Sequence, residues 1–447
     1  MKVLDKNIVK EIVVMGVPSF LETLFTTFTN VIDSKMVSTM GVTAISAVSV
    51  TNSPRLFVLS VFIAFNTVLT SVVAKFLGKN DQESANRCFD AVIKVTIVLS
   101  MVLGILCVLL ARPIMWLVAH QEDTLDDSAT YFSIVMGGMI FNTLFLTINA
   151  GLRGCGHTKI TFISNIISCV VNIFCNYLLI GGHLGFPALG IKGAAIATVA
   201  GTVVALFFVV GQDCRPSMFV NIPYCAKKMF KHTLESTKEM REMARSTLTD
   251  GIVTRISLLI IGSVIARIGS YQMAVYSLGM NLLNVNQALG TGFQTAGVAL
   301  IGRAYGTNDK KQTNEYKNTI IILCVASSIV LALIIAVCGR TFYGFFSEDP
   351  KFIQMGATSC LFISVITLSQ TMKFALTGCL QGVGAMKEVM RASIVSFAFV
   401  NLGLLVVTIF ILGMGIWGAW VSSLASQTIQ ASMLWYFIKQ HDAFKLN

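Results

Sequence analysis

Two acids stand in the first apolar stretch of the chain, Glu22 and Asp33, with Thr26, Thr29 and Asn30 between them. Eleven residues at 100° each bring the acids to within about 20° of one helical face. At 1.5 Å per residue they lie about 16 Å apart along it. Further on, Asn165, Asn172 and Asn176 recur at spacings of seven and four, a second polar stripe with Ser168 beside it. Acids and amides on facing stripes can take up and release a proton or a cation, or simply tie one helix to another. Asn165 fits the second use. Asn172 and Asn176, with an acid stripe to face, fit the first. Other polar positions inside apolar runs are Asn142, Asp250, Asn281, Asn284, Gln287 and Gln370, with Arg255 and Lys373 as basic counterparts.

The elements that must hold these groups are membrane spans. Of 447 residues 55% are apolar and 12% charged, against roughly 45 to 50% and about 25% in a soluble domain. That missing charge excludes an ordinary water-soluble enzyme. The net charge of +11 does not indicate nucleic acid, because the Lys and Arg are scattered between apolar runs instead of lining one solvated face. The eleven cysteines include no C-x-x-C pair and read as small core residues. His120, His157, His183, His232 and His441 fall in or near loops and carry no assigned role. The first apolar run is longer than the core of a signal peptide and has no small-residue cleavage site after it, so the amino terminus is expected to be retained.

Twelve stretches reach the roughly 17 to 25 residues of a bilayer-spanning helix. They cover residues 12–38, 48–74, 89–111, 128–150, 160–181 and 191–211, then 247–268, 276–301, 317–339, 352–378, 389–412 and 416–438. With the amino terminus inside, the outer loops hold only Arg112, Lys192, Arg267, Arg340 and Lys351 of the 33 basic residues. Five more, Lys35, Arg55, Lys94, Arg255 and Lys373, fall within helices, and the rest mark inner segments. Basic residues accumulate on the cytoplasmic side, so both termini are expected there, in the cell membrane. An ionisable group at the centre of a span costs about 2.5 to 3.5 kcal/mol, which makes each one a functional candidate.

The two halves repeat. Gly41 and Gly269 are 228 apart, and the same shift carries F-N-T-x9-G-K-N-D (65–81) onto F-Q-T-x9-G-T-N-D (293–309) and L-R-G-C-G-H-T-K (152–159) onto L-Q-G-V-G-A-M-K (380–387). At a shift of 225, L-G-I-K-G-A-A (189–195) meets M-G-I-W-G-A-W (414–420). Six spans per half make the repeats parallel, an arrangement of transporters that rock about a central site. The expected domains are an amino-terminal lobe (1–212), a cytoplasmic linker (213–246) and a carboxy-terminal lobe (247–447). The linker carries Lys227, Lys228, Lys231, Lys238, Arg241 and Arg245, a polybasic stretch suited to an anionic membrane surface.

Across the repeat Glu22 corresponds to Asp250 and Asn142 to Gln370, so these pairs are expected to line a substrate cavity with Thr26, Asn284 and Gln287. Asp33 instead corresponds to Ile261, and Asn172 and Asn176 to Val400 and Leu404. A one-residue slip would bring Asn401 and Leu405 there. The acid and amide group belongs to the first half.

At these residues the chain resembles the multidrug and toxic compound extrusion (MATE) family. The resemblance rests on P-S-F-L-E (18–22), V-I-D-S (31–34), the G-K-N-D loop, L-R-G-C-G-H-T-K and N-I-F-C-N-Y-L-L-I-G-G-H-L-G-F-P-A-L-G-I-K-G-A-A-I-A-T (172–198), and covers nearly the whole chain. It implies an all-α membrane protein with twelve helices in two lobes forming a V. The implied activity is export of cationic or amphipathic small molecules in exchange for Na⁺ or H⁺. It implies Asp33 as the coupling acid, Asn172 and Asn176 as its partners and Thr198 as the group completing a site for Na⁺ or H⁺. Asn176 stands where relatives carry Asp or Asn, which leaves one carboxylate and keeps both ions open. Helices 8 and 10 lack the acids that some relatives use. No cofactor beyond the coupling ion, no enzymatic activity, no nucleic acid partner and a monomer are expected. The rivals are a lipid-linked precursor flippase, a major-facilitator carrier, which would show a D-R-x-G-R-R-like run where this chain has G-K-N-D, and a non-transporting membrane scaffold.

Overall fold

The computed structural model describes residues 5–119, 122–224 and 238–445, and every regular element among them is helical. A helix satisfies its backbone hydrogen bonds within the span, as lipid requires. The first half comprises α1 (Lys6–Ser38), α2 (Val42–Gly78), α3 (Gln82–Leu109), the short α4 (Ala111–Ala119), α5 (Glu122–Gly137), α6 (Met139–Gly154), α7 (Thr158–Gly181) and α8 (Ile191–Asp213). The second comprises α9 (Lys238–Ile268), α10 (Ser270–Gly306), α11 (Lys310–Phe346), α12 (Pro350–Gly382), α13 (Met386–Ile411) and α14 (Ile416–Gln440).

All twelve expected spans are present. The fourth is a bent pair instead of one straight helix, α5 and α6 meeting at 48°. The bend falls at Gly137 and Gly138, and a Cβ on Gly138 would stand 2.6 Å from Val199, so the missing side chain lets α8 close against the bend. Among the described residues eight helices, or nine with that pair, are long and apolar enough to cross a membrane on composition alone. The remaining spans are α1, α10 and α14; α1 carries Glu22, Thr26 and Asp33, and α10 carries Asn284 and Gln287.

The repeat is written into the turns. Asn80 and Asn308 adopt φ of 54° and 59°. Each is followed by an aspartate whose N–H closes the preceding helix, Asp81 on Phe76 O and Asp309 on Ala304 O. The aspartate side chains then cap the next helix, accepting from Ser84 N–H at 3.0 Å and Gln312 N–H at 2.9 Å. G-x-N-D is thus a helix stop and start in four residues. The glycines of the second motif, Gly156 and Gly384, sit at φ of 84° and 83°, a left-handed position that favours glycine.

Proximity divides the chain into Leu21–Met240 and a second unit of Met1–Phe20 with Arg241–Asn447. The division falls inside α1, just after Pro18. In the first unit α2 and α6 are tied by Thr147 Oγ1 to Asn66 Oδ1 at 2.9 Å and by Thr70 Oγ1 to Ala150 O at 3.0 Å. In the second, α10 and α12 are tied by Gln294 to Gln381 at 2.8 Å. The Asn66 and Gln294 of the repeated F-N-T and F-Q-T runs therefore hold helices together. The start of the expected linker packs on α3, where Asn86 and Gln82 donate to Phe219 O and Asn86 Oδ1 accepts from Asn221 N–H. Lys227, Lys228 and Lys231, like His120 and His232, lie outside the described residues. All ten cysteines among the described residues are free.

The Ser84 N–H holds the Asp81 carboxyl below the usual carboxylate range. A depressed folded-state pKa gives stability that is present above the ordinary carboxylate pKa and lost as pH falls. Asp81→Ala should cost about 1 kcal/mol at neutral pH. In thermal unfolding of detergent-purified protein the deficit should shrink as pH is lowered through the carboxylate range.

Candidate functional site

The two polar stripes meet. Asn165 Nδ2 on α7 donates to Glu22 Oε1 on α1 at 2.8 Å, and Asn176 Nδ2 donates to Asp33 Oδ1 at 2.8 Å. Eleven residues separate the acids and eleven separate the amides, so two rungs join helices running in the same direction, three turns apart. Between them Thr29 hydrogen-bonds Cys169.

The Glu22 rung, on the expected inner side, is saturated. Glu22 also meets the Arg153 guanidinium at 3.4 Å and the Thr161 hydroxyl at 3.4 Å. Sequence reading missed Arg153, counting it as an inner-loop charge; its approach to Glu22 is set by the fold of α6 and leaves no local signal.

The Asp33 rung, on the expected outer side, is not. Asn172 and Asn176 are 6% and 2% exposed. With its Nδ2 turned toward α1, Asn172 donates to both Asp33 oxygens, at 2.8 and 3.2 Å, and its Oδ1 accepts from Thr198 N–H at 3.3 Å. In the opposite setting its Nδ2 reaches Thr198 Oγ1 at 3.5 Å and its Oδ1 accepts from Asn176 at 3.3 Å. The first setting is the consistent one, because in the second Asn172 Oδ1 faces the Asp33 oxygens, acceptor against acceptor. Asn176 Oδ1 is buried with no hydrogen-bond partner. Arg55 on α2 lies within electrostatic reach of Asp33.

Glycine makes this fit possible. A Cβ on Gly201 of α8 would stand 2.6 Å from Ser168 O and 3.0 Å from Asn172 Cβ, so α8 lies against the α7 backbone and brings Thr198 to Asn172. The oxygens available are the Asp33 carboxylate, both amide Oδ1 atoms and Thr198 Oγ1. That set suits a proton or a hard, oxygen-seeking cation.

The remaining candidates are dispersed. Thr26 is exposed and returns its hydroxyl to Glu22 O at 2.9 Å. Asn142 is half-buried. Asn281, Asn284 and Gln287 form the exposed face of α10. The buried face carries Asn286, which sequence reading passed over because the spacing of three favoured its neighbours. Asn286 donates to Gln370 Oε1 at 2.7 Å and accepts from the Thr371 hydroxyl at 2.7 Å. Gln370 is thereby spent inside its own unit. Asp250 is hydrogen-bonded by Ser393 and feels the charge of Lys373. Ser393 in turn accepts from Gln430 at 2.8 Å. Among the described residues no three His, Cys, Asp or Glu gather as a metal cluster.

A family model described as MatE matches residues 18–178 and 250–407. The chain is 20% identical to an uncharacterized transporter, YisQ, of Bacillus subtilis, over 94% of this chain and 91% of the relative. It is 21% identical to the probable multidrug resistance protein NorM of Thermotoga maritima, over 95% and 90%. Among solved structures, it is similar to a MOP superfamily transporter from Pyrococcus furiosus described by the reverse polarity of its binding pocket (TM-score 0.89, 18% identity, 98% and 97% covered). It is also similar to the outward-facing conformation of a multidrug resistance MATE family transporter (TM-score 0.86, 17% identity, 98% and 97% covered). The family model spans both six-helix halves, including Asp33, Asn172 and Asn176, and on that match the chain belongs to the MatE family of membrane transporters.

Proposed function

We propose that the chain is a cation-coupled antiporter that exports small amphipathic molecules, with Asp33 as the coupling acid. The observation that carries this reading is the outer rung: a carboxylate at bilayer depth held by neutral amides, beside a buried amide oxygen without a partner. An ionised Asp33 accepts from both amides. A proton on Asp33 removes an acceptor and leaves donors facing a donor. A Na⁺ ion needs oxygen, so it favours the orientations that present Asn172 Oδ1 and Asn176 Oδ1. Either event weakens the hydrogen bonds from the Asn172 and Asn176 amides on α7 to Asp33 on α1, while the Glu22 rung stays tied to Arg153.

The outer half of α1 is then free to repack. Pro18 lacks the N–H of a regular helical residue and stands where α1 passes from one unit to the other, which suits a helix that bends. Ion and substrate need only stabilise opposite states for exchange to follow. The basic residues of the inner loops support a multi-pass protein of the cell membrane with both termini in the cytoplasm. A monomer suffices, because both repeats are supplied by one chain.

Purified protein in liposomes should expel a fluorescent dye under an imposed Na⁺ or H⁺ gradient, each applied alone. Asp33→Asn keeps an amide-sized hydrogen-bonding group but cannot titrate, and should abolish gradient-driven efflux while the protein elutes normally on size exclusion; unchanged efflux would remove Asp33 from the role. Pro18→Ala should slow efflux several-fold without changing dye affinity.

A further inference from the structure

The charges inside the spans are unevenly satisfied. Glu22 is held by Arg153, Thr161 and Asn165, Asp33 by Asn176, Asp90 by Lys94 at 2.6 Å, and Asp250 by Ser393. Arg55 in one unit, and Arg255 and Lys373 in the other, have no carboxylate at ion-pair distance and no hydrogen-bond acceptor among the described residues. Acids are matched where they stand, and bases are left with unspent donors.

Lys373 is the sharpest case. It is 9% exposed, and its Nζ sits over two aromatic rings, 4.7 Å from the centre of Phe374 and 5.5 Å from that of Phe397. Ring faces attract the charge but do not satisfy the three N–H donors of an ammonium. Asp250 contributes its field from beyond ion-pair distance. Phe397 belongs to a π-helical run, Ile394–Asn401, within α13, a backbone form that recurs at functional sites. The same polar interior leaves the oxygens of Asn401, Gln427 and Gln430 buried without partners. A buried ammonium between two rings lacks one thing, an acceptor brought from outside.

Resting on the exporter reading above, we propose that Lys373, with Phe374 and Phe397, binds the anionic group of the carried compound. The substrate class is an amphipathic organic anion, with a carboxylate or phosphate on the ammonium and an apolar or aromatic body against the rings. A free aromatic acid and an anionic lipid share this chemistry.

Two dyes and two variants test it: anionic fluorescein and cationic ethidium, with Lys373→Met, which keeps an unbranched side chain of similar volume, and Lys373→Arg, which keeps the charge. Dye binding is read by fluorescence anisotropy on detergent-purified protein, and export from phosphatidylcholine liposomes under the gradient that drives the wild type. Lys373→Met should weaken fluorescein binding about tenfold or more and reduce its export in parallel, leaving ethidium unchanged; Lys373→Arg should stay near wild type. Equal fluorescein affinity in wild type and Lys373→Met overturns the proposal even if ethidium is exported, which leaves the exporter reading standing. Gradient-driven export of neither dye would instead sink the exporter reading and the transport role of Lys373 with it, whereas anisotropy still reports on the anion site itself. Phosphatidylglycerol that competes with fluorescein only when Lys373 is present identifies a lipid as the source of the anion; no competition identifies a soluble acid.

Discussion

A carboxylate carried into lipid must bring its donors with it, and in this protein each of the two acids on α1 takes an amide donor from α7 in matched register. The Glu22 and Asp33 rungs repeat the same eleven-residue interval on α1 and α7. Slipping one helix by a single residue would break both together. Water is not there to replace a lost partner, so the register is enforced by the cost of an unpaired charge. The rungs differ in what surrounds them. Arg153 adds a charged partner to the Glu22 rung, whereas the Asp33 rung is held by neutral amides alone.

Much of this could be read from the sequence, because the relevant signals were local. Apolar runs of bilayer length located the spans, and spacings of eleven, seven and four placed Glu22, Asp33, Asn172 and Asn176 on facing stripes. The repeated glycine and G-x-N-D landmarks proved to be backbone turns in equivalent conformations. What stayed hidden depends on tertiary approach. Arg153 sits in a loop-like motif until α6 carries it to Glu22. Asn286 differs from its exposed neighbours only in which face of α10 is covered. The break at Gly138 needed knowledge of Val199 opposite it.

The two units share a fold and have parted chemically. Ile261 stands where the first unit has Asp33, and α13 contains π-helical turns in the region where α7 is a regular α-helix. A π turn takes an extra residue, the backbone equivalent of a one-residue slip. That slip sets Asn401 against Asn172, and Asn401 is indeed buried, with an unpartnered oxygen. The amide persists in the second unit while the acid it would serve is gone, and that unit buries a base, Lys373, instead.

The packing boundary and the duplication boundary do not coincide. Ile12, 1% exposed, is part of the core formed with Ala296, Leu300, Tyr316 and Ile320, and Glu11 is hydrogen-bonded by the Tyr316 hydroxyl. A chain severed between its two repeats would give a second fragment missing a piece of its own interior and a first fragment that begins with an orphaned helical arm. The two repeats, although related, are no longer separable modules. The first twenty residues act as a splice that obliges both halves to be made as one polypeptide.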